Sequence, residues 1–253
     1  MKIALCFFGQ PRFYDNQEIL TFLRDLKIES VEVDTYMHLW KPKKSQNFSR
    51  SPWSGIDEKD AKIDLENLED RIREIYEPTD LCIEDERDML ADPRMYLRSP
   101  APTSGEFAHR MFYSQWMTGE MLKKSGNTYD LVFKLRTDSA ILKLVPPRNL
   151  IGDRIWVPDN CPVMNWYNDN FSISSQENFL KMVDAYNNLD KFYQEGVQMN
   201  GETMLKAQLK KEGLEEKVRR NKNINVGLVR AVNPLKLQGV WINDQMMQMA
   251  VIQ

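Results

Sequence analysis

Lys2 to Phe8 is a near-continuous apolar run that is cut off by Gly9 and Pro11. A strand of this kind has no polar side to turn towards water. It must be covered on both faces, which selects a sheet carrying helices above and below. The chain that follows supplies them. Asn16 to Leu26 places Ile19, Leu20, Phe22, Leu23 and Leu26 at helical spacing, and Val31 to Leu39 reads as a second strand, so the chain opens as a βαβ unit.

The same alternation continues downstream. Asp60 to Tyr76 predicts an amphipathic helix, Leu81 to Ile83 a short strand, and Gly105 to Lys124 a helix stopped by Ser125-Gly126-Asn127. Tyr129 to Arg136 is the best strand pattern; it runs into Thr137-Asp138-Ser139, and apolar character resumes at Ala140. Further strands are expected at Arg154 to Val157, Asn170 to Ser174, Asn225 to Val232 and Leu237 to Trp241, with helices at Gln176 to Leu189 and Gly201 to Lys211. Residues 41–56 and 85–104 read as loops, Lys217 to Lys222 as a solvated helix end, and Met246, Met247 and Met249 as packing material. The expected architecture is α/β: a single Rossmann-like domain over residues 1–253 with a central mixed, mostly parallel sheet flanked by helices. A chain of 253 residues is long enough to bury such a core.

Composition narrows the function. Lys and Arg number 34 against 37 Asp and Glu, so the net charge of −3 disfavours binding to nucleic acid. Cys6, Cys82 and Cys161 lie far apart, which suggests neither a disulfide framework nor a clustered thiolate site and points to a cytoplasmic, reducing setting. The N-terminus lacks the form of a signal peptide, and no stretch approaches the roughly 20 apolar residues of a membrane helix, so no integral membrane segment is expected.

In open α/β sheets ligands bind beyond the carboxyl ends of the strands. Three such ends carry polar residues: Gly9-Gln10-Pro11-Arg12, His38-Leu39-Trp40 and Arg136-Thr137-Asp138. Gly9 permits close backbone approach, Gln10 can read a base or ribose edge, and Arg12 can meet a phosphate. Asp138 offers an oxygen ligand to a hard cation on a diphosphate. Each also has a plainer reading: a turn glycine, a surface cation, or a turn aspartate capping its own loop. His38 and Trp40 alternate onto one face and read as pocket or core. Arg110, with Ser114 and Gln115, lies on the helix around His109 and reads either as pocket lining or as a solvated face.

The Arg136-Thr137-Asp138 strand end resembles the Asp-x-Asp of glycosyltransferases with the GT-A nucleotide-sugar fold, with arginine in place of the first aspartate. In order and spacing the three strand ends resemble a group of viral and bacterial glycosyltransferase-like proteins. The resemblance implies a nucleotide-binding half over 1–145, an acceptor-side half over 146–253, and a uridine or guanosine diphosphate sugar as donor. It also implies a glycan acceptor and Mn²⁺ or Mg²⁺ held by Asp138. Arg12 and Arg136 would face phosphate, and Asp169 would be the first candidate for the base that deprotonates the acceptor, with Glu202 the second. Two rival readings remain open: a nucleotidyltransferase, although the first turn lacks a glycine-rich, basic loop, and a non-catalytic module that binds nucleotide or glycan.

Overall fold

A computed structural model describes residues 1–28, 31–42, 65–86, 104–159 and 167–229, with short pieces at 237–238, 240–242 and 245–247. Strands β1 (Lys2–Gly9), β2 (Glu32–Lys41), β3 (Asp80–Asp85), β4 (Leu131–Leu135), β6 (Ile155–Pro158), β7 (Ser172–Ser174) and β8 (Val218–Asn221) form one sheet in the order β3-β2-β1-β4-β7-β6-β8. β1 pairs in parallel with both β2 and β4, β2 with β3, and β6 with β8; β7 alone runs antiparallel to its neighbours β4 and β6. The mixed, mostly parallel sheet is therefore the architecture that the alternating pattern predicts.

Burial explains why β1 is apolar throughout. Its alternate residues Ala4 and Cys6 point into one core and Ile3, Leu5 and Phe7 into the other. The first core packs α3 (Ser104–Ser125), α4 (Gln176–Val183), α5 (Leu189–Gln194) and α6 (Gly201–Lys211) on one face of the sheet. The second packs α1 (Gln17–Ile28) and α2 (Leu68–Tyr76) on the opposite face, with Ile19, Phe22, Leu26 and Ile72 as its buried helical residues. Strands β5 (Ser139–Lys143), β9 (Asn225–Val229) and β10 (Leu237–Gln238) make a small second sheet, and β11 (Val240–Ile242) pairs with β12 (Gln245–Met247).

The structure corrects several expected elements. Lys217 to Lys222 is not a helix end: Val218–Asn221 is a strand paired in parallel with β6, so backbone pairing overrides the charge pattern. The expected helix from Gln176 to Leu189 breaks into α4, a 3-10 turn at Asp184–Asn188, and α5. At the break the Asn188 amide donates to the Asp184 carbonyl at 3.0 Å and so competes with the helical backbone bonds. The helix expected from Asp60 begins only at Leu68, behind Asn67, with residues 60–64 outside those described. Most of the two expected loops, together with Cys161 and Met249, also lie outside the described residues.

β2 lies on one side of β1 and β4 on the other, so strand order reverses between β1 and β4. Open α/β sheets leave a crevice at the carboxyl ends flanking such a reversal. Here those ends are Gly9 and Leu135, and the turns that follow them carry the Arg12 and Arg136 motifs.

Candidate active site

Gly9 closes β1 with φ +99, a conformation that costs glycine nothing and strains other residues. Nothing lies within 4 Å of the place where its Cβ would be, so backbone is exposed to an open space. Its N–H donates to Ser114 Oγ at 2.8 Å, which ties the turn to α3. Arg12, only 7% exposed, points its guanidinium onto Gln10 Oε1, donating through Nε at 2.8 Å and through Nη2. Phe13 then takes φ +45, an uncommon geometry for a bulky residue.

The turn after β4 locks onto this first turn. Thr137, fully buried, donates its hydroxyl to the carbonyls of Gln10 and Arg12 at 3.2 and 3.1 Å. Asn16 donates to the Thr137 carbonyl at 2.9 Å. The middle residue of Arg136-Thr137-Asp138 is therefore a strut that holds Arg12 in place. The sequence gives no signal for that role beyond its position between two conspicuous neighbours.

Asp138 departs from expectation. Its carboxylate is fully buried and accepts from Arg136 Nε and Nη2, both at 2.7 Å, a fork that occupies both oxygens. It does not line the cavity, whereas Arg136 does. The expected cation ligand is thus a buried counter-ion that aims Arg136. Burial alone would pull the Arg136 pKa down, but the charge of Asp138 and the hydrogen bonds to it outweigh that and hold the guanidinium ionised. Its remaining Nη1 reaches Asn170 Oδ1 at 3.2 Å.

His38 is also corrected. It is fully buried, with Nδ1 2.9 Å from Ser114 Oγ and Nε2 3.1 Å from Glu84 Oε1, and it does not line the cavity. Trp40 does, holding its indole N–H against the Arg110 carbonyl at 3.1 Å. Arg110 enters from α3 and pairs with Glu86, the residue that follows β3.

Two acidic residues, Asp169 and Glu202, line the same cavity. Asn168 Oδ1 accepts from the backbone N–H groups of Asn170 and Phe171 at 2.9 and 3.1 Å, so Asn168 makes the turn and Asp169 is left to face the cavity. The Asp169 carbonyl accepts from Lys134 Nζ at 3.0 Å. Lys134 is buried in β4, and burial lowers its pKa to about 8 against the opposing pull of Asp169. Glu202 sits in the first turn of α6, behind the Asn200 cap that accepts from the Thr203 N–H at 3.0 Å. Burial first, and the Asp169 charge second, push the Glu202 carboxyl up to about 7. Gly201 is what lets the two elements meet: a Cβ there would lie 1.8 Å from Asp169 Oδ2.

The result is a cavity of about 250 Å³. It is lined by Gly9, Gln10, Arg12, Trp40, Arg110 and Arg136 from the first half of the chain, and by Asp169 and Glu202 from the second. Eight of the twelve sequence-nominated residues share this space; His38, Ser114, Gln115 and Asp138 stand outside it. Sequence reasoning missed Glu86, Asn170 and Gly201, which also line it. Glu86 follows a strand end and was open to the same positional reasoning as Arg12. Gly201 carries a weaker signal, a glycine directly after an Asn helix cap.

No protein-family model matches the chain, and no curated protein matches it. Among solved structures it is similar to a nucleoside-diphosphate-sugar pyrophosphorylase from Vibrio cholerae RC9, at 11% identity and TM-score 0.46, over 91% of this chain and 96% of that one. A likeness at that level decides neither fold nor reaction. Among the described residues, no helix is long and apolar enough to cross a membrane.

Proposed function

We propose that the protein is a glycosyltransferase that moves a sugar from a nucleoside-diphosphate donor to a hydroxyl of a glycan acceptor. One observation carries this reading: Arg12, Arg110 and Arg136 line one cavity together with Asp169 and Glu202, at the strand-order reversal. The half that contributes the arginines, 1–145, takes the nucleotide; the half that contributes the acids, 146–253, takes the acceptor.

The chemistry follows from that division. The donor diphosphate lies against Arg12 and Arg136, with the open backbone of Gly9 beneath it. As the anomeric C–O bond breaks, its electron pair leaves on the phosphate oxygen, where the fixed guanidinium charge meets it. The acceptor oxygen forms the new bond and passes its proton to Asp169. Glu202, poised near neutrality, retains a proton in part of the population and donates it in a hydrogen bond to a sugar hydroxyl. Mn²⁺ or Mg²⁺ on Asp138, which the sequence resemblance implies, does not fit this chain, because Arg136 occupies both oxygens in a fully buried fork. No step is routed through a metal there.

The test is calorimetry of the whole chain with a panel of nucleoside diphosphates, followed by assay of donor turnover with and without Mn²⁺. Diphosphate binding and release of nucleoside diphosphate from a sugar donor support the reading. Pyrophosphate release from a nucleoside triphosphate and a sugar phosphate would instead establish nucleotidyl transfer. Binding without any turnover would leave a non-catalytic module.

A further inference from the structure

Outside the cavity, β2 and β3 bring together three side chains that the proposed transfer does not use. His38 and Cys82 are direct partners in the parallel register, as are Trp40 and Glu84 two residues on, so His38, Cys82 and Glu84 share one face of the sheet. One ligand atom from each of His38, Cys82 and Glu84 lies within 4.8 Å of the other two.

The hydrogen bonds around His38 hold its ring in place. Ser114 has a single hydroxyl proton, and it donates to the His38 carbonyl at 2.7 Å. The Ser114 oxygen meanwhile accepts from the Gly9 N–H at 2.8 Å. Its other contact, His38 Nδ1 at 2.9 Å, is satisfied when Nδ1 carries the proton and donates. His38 Nε2 lies 3.1 Å from Glu84 Oε1, an oxygen that also accepts from the Tyr113 hydroxyl at 3.0 Å. Nε2 thus faces a carboxylate oxygen, a pairing that either a proton or a metal cation can bridge.

We infer that His38, Cys82 and Glu84 form a site for a divalent cation of the Zn²⁺ class. An imidazole nitrogen, a thiolate and one carboxylate oxygen are the donors a borderline-soft ion selects, and they differ from the all-oxygen set of Mg²⁺. Three protein ligands leave the fourth tetrahedral position to water. The surroundings are those of a metal histidine: Ser114 fixes the ring through Nδ1, and Tyr113 orients the carboxylate. Binding converts the Cys82 thiol to thiolate and releases its proton to solvent. β3 is the edge strand of the large sheet, so the ion clamps that edge to β2 just before Glu86, which holds Arg110 at the cavity. The site is independent of what the cavity binds.

The experiment strips the whole chain with chelator and titrates it with Zn²⁺ by calorimetry and with Co²⁺ by absorption. The expected result is one equivalent of either ion and a thiolate-to-cobalt charge-transfer band. Cys82→Ser abolishes that band and weakens Zn²⁺ about tenfold or more, and Cys161→Ser leaves both unchanged. Glu84→Gln is the second variant and weakens Zn²⁺ while keeping the band; circular dichroism of each metal-free variant checks folding. Absence of stoichiometric Zn²⁺ binding by the folded wild-type chain overturns the site. So does a charge-transfer band that survives in folded Cys82→Ser or disappears in Cys161→Ser.

Discussion

Asp138 and Asp169 both lie close to Arg136, yet the fold uses them in opposite ways. Asp138 is fully buried and saturated by the Arg136 fork. Asp169 faces the cavity, where its charge raises the pKa of Glu202. A carboxylate whose oxygens are matched by a guanidinium is chemically quiet, because its charge is already neutralised. One placed beside another carboxylate stores electrostatic energy that a proton or a ligand can release.

That contrast is open to attack by substitution. Asp138→Ala leaves Arg136 without its buried counter-ion, and it is expected to lower stability by about 3–5 kcal/mol in chemical denaturation. Adding Arg136→Met should restore much of that loss, since no buried charge is then unmatched. An unchanged denaturation midpoint for Asp138→Ala would mean that the fork is not the structural pair described here. Asp169→Asn should behave in the reverse sense. Its midpoint moves little, whereas kcat for sugar transfer falls about 10²–10⁴-fold, the usual range for loss of a general base.

Gly201→Ala sharpens the contrast without altering any charge. The added methyl would lie 1.8 Å from Asp169 Oδ2, so the carboxylate must swing away. Transfer should fall about tenfold or more, by analogy with other small misplacements of catalytic groups, while calorimetry still detects nucleoside diphosphate. Equal turnover of Gly201→Ala and wild type would argue against Asp169 as the base.

The smallest effect is on pH dependence. The Glu202 carboxyl titrates near 7 in the folded chain and near its ordinary value of 4.5 when unfolded. Between those values the folded state holds a proton that the unfolded state has lost, so this group makes stability fall as pH rises from about 4.5 to 7. Glu202→Gln should flatten that part of a melting-temperature profile. Asp169→Asn should narrow it as well, because it removes the second cause of the shift. A slope that persists unchanged in Glu202→Gln would assign it to another group.

Much of the architecture was legible along the chain. The apolar run of β1, the helical spacing of α1 and the Ser125-Gly126-Asn127 stop after α3 are local signals, written in residues a few positions apart. The Lys217 to Lys222 segment was not legible, because its pairing partner β6 lies some sixty positions earlier and only that backbone ladder makes it a strand. The site divides in the same way. Strand-end position was enough to nominate Arg12 and Arg136, since in an α/β sheet the carboxyl end of a strand is a place in space as well as in sequence.

The order of residues thus determined most of the strands, their likeness to a parallel sheet, and a short roster of polar groups at its mouth. Only the tertiary structure decided which of two aspartates keeps its charge available. That depends on where Arg136 folds its guanidinium and on how closely Gly201 lets α6 approach. Contacts between residues far apart along the chain set the charge state of each group, and no local pattern encodes them.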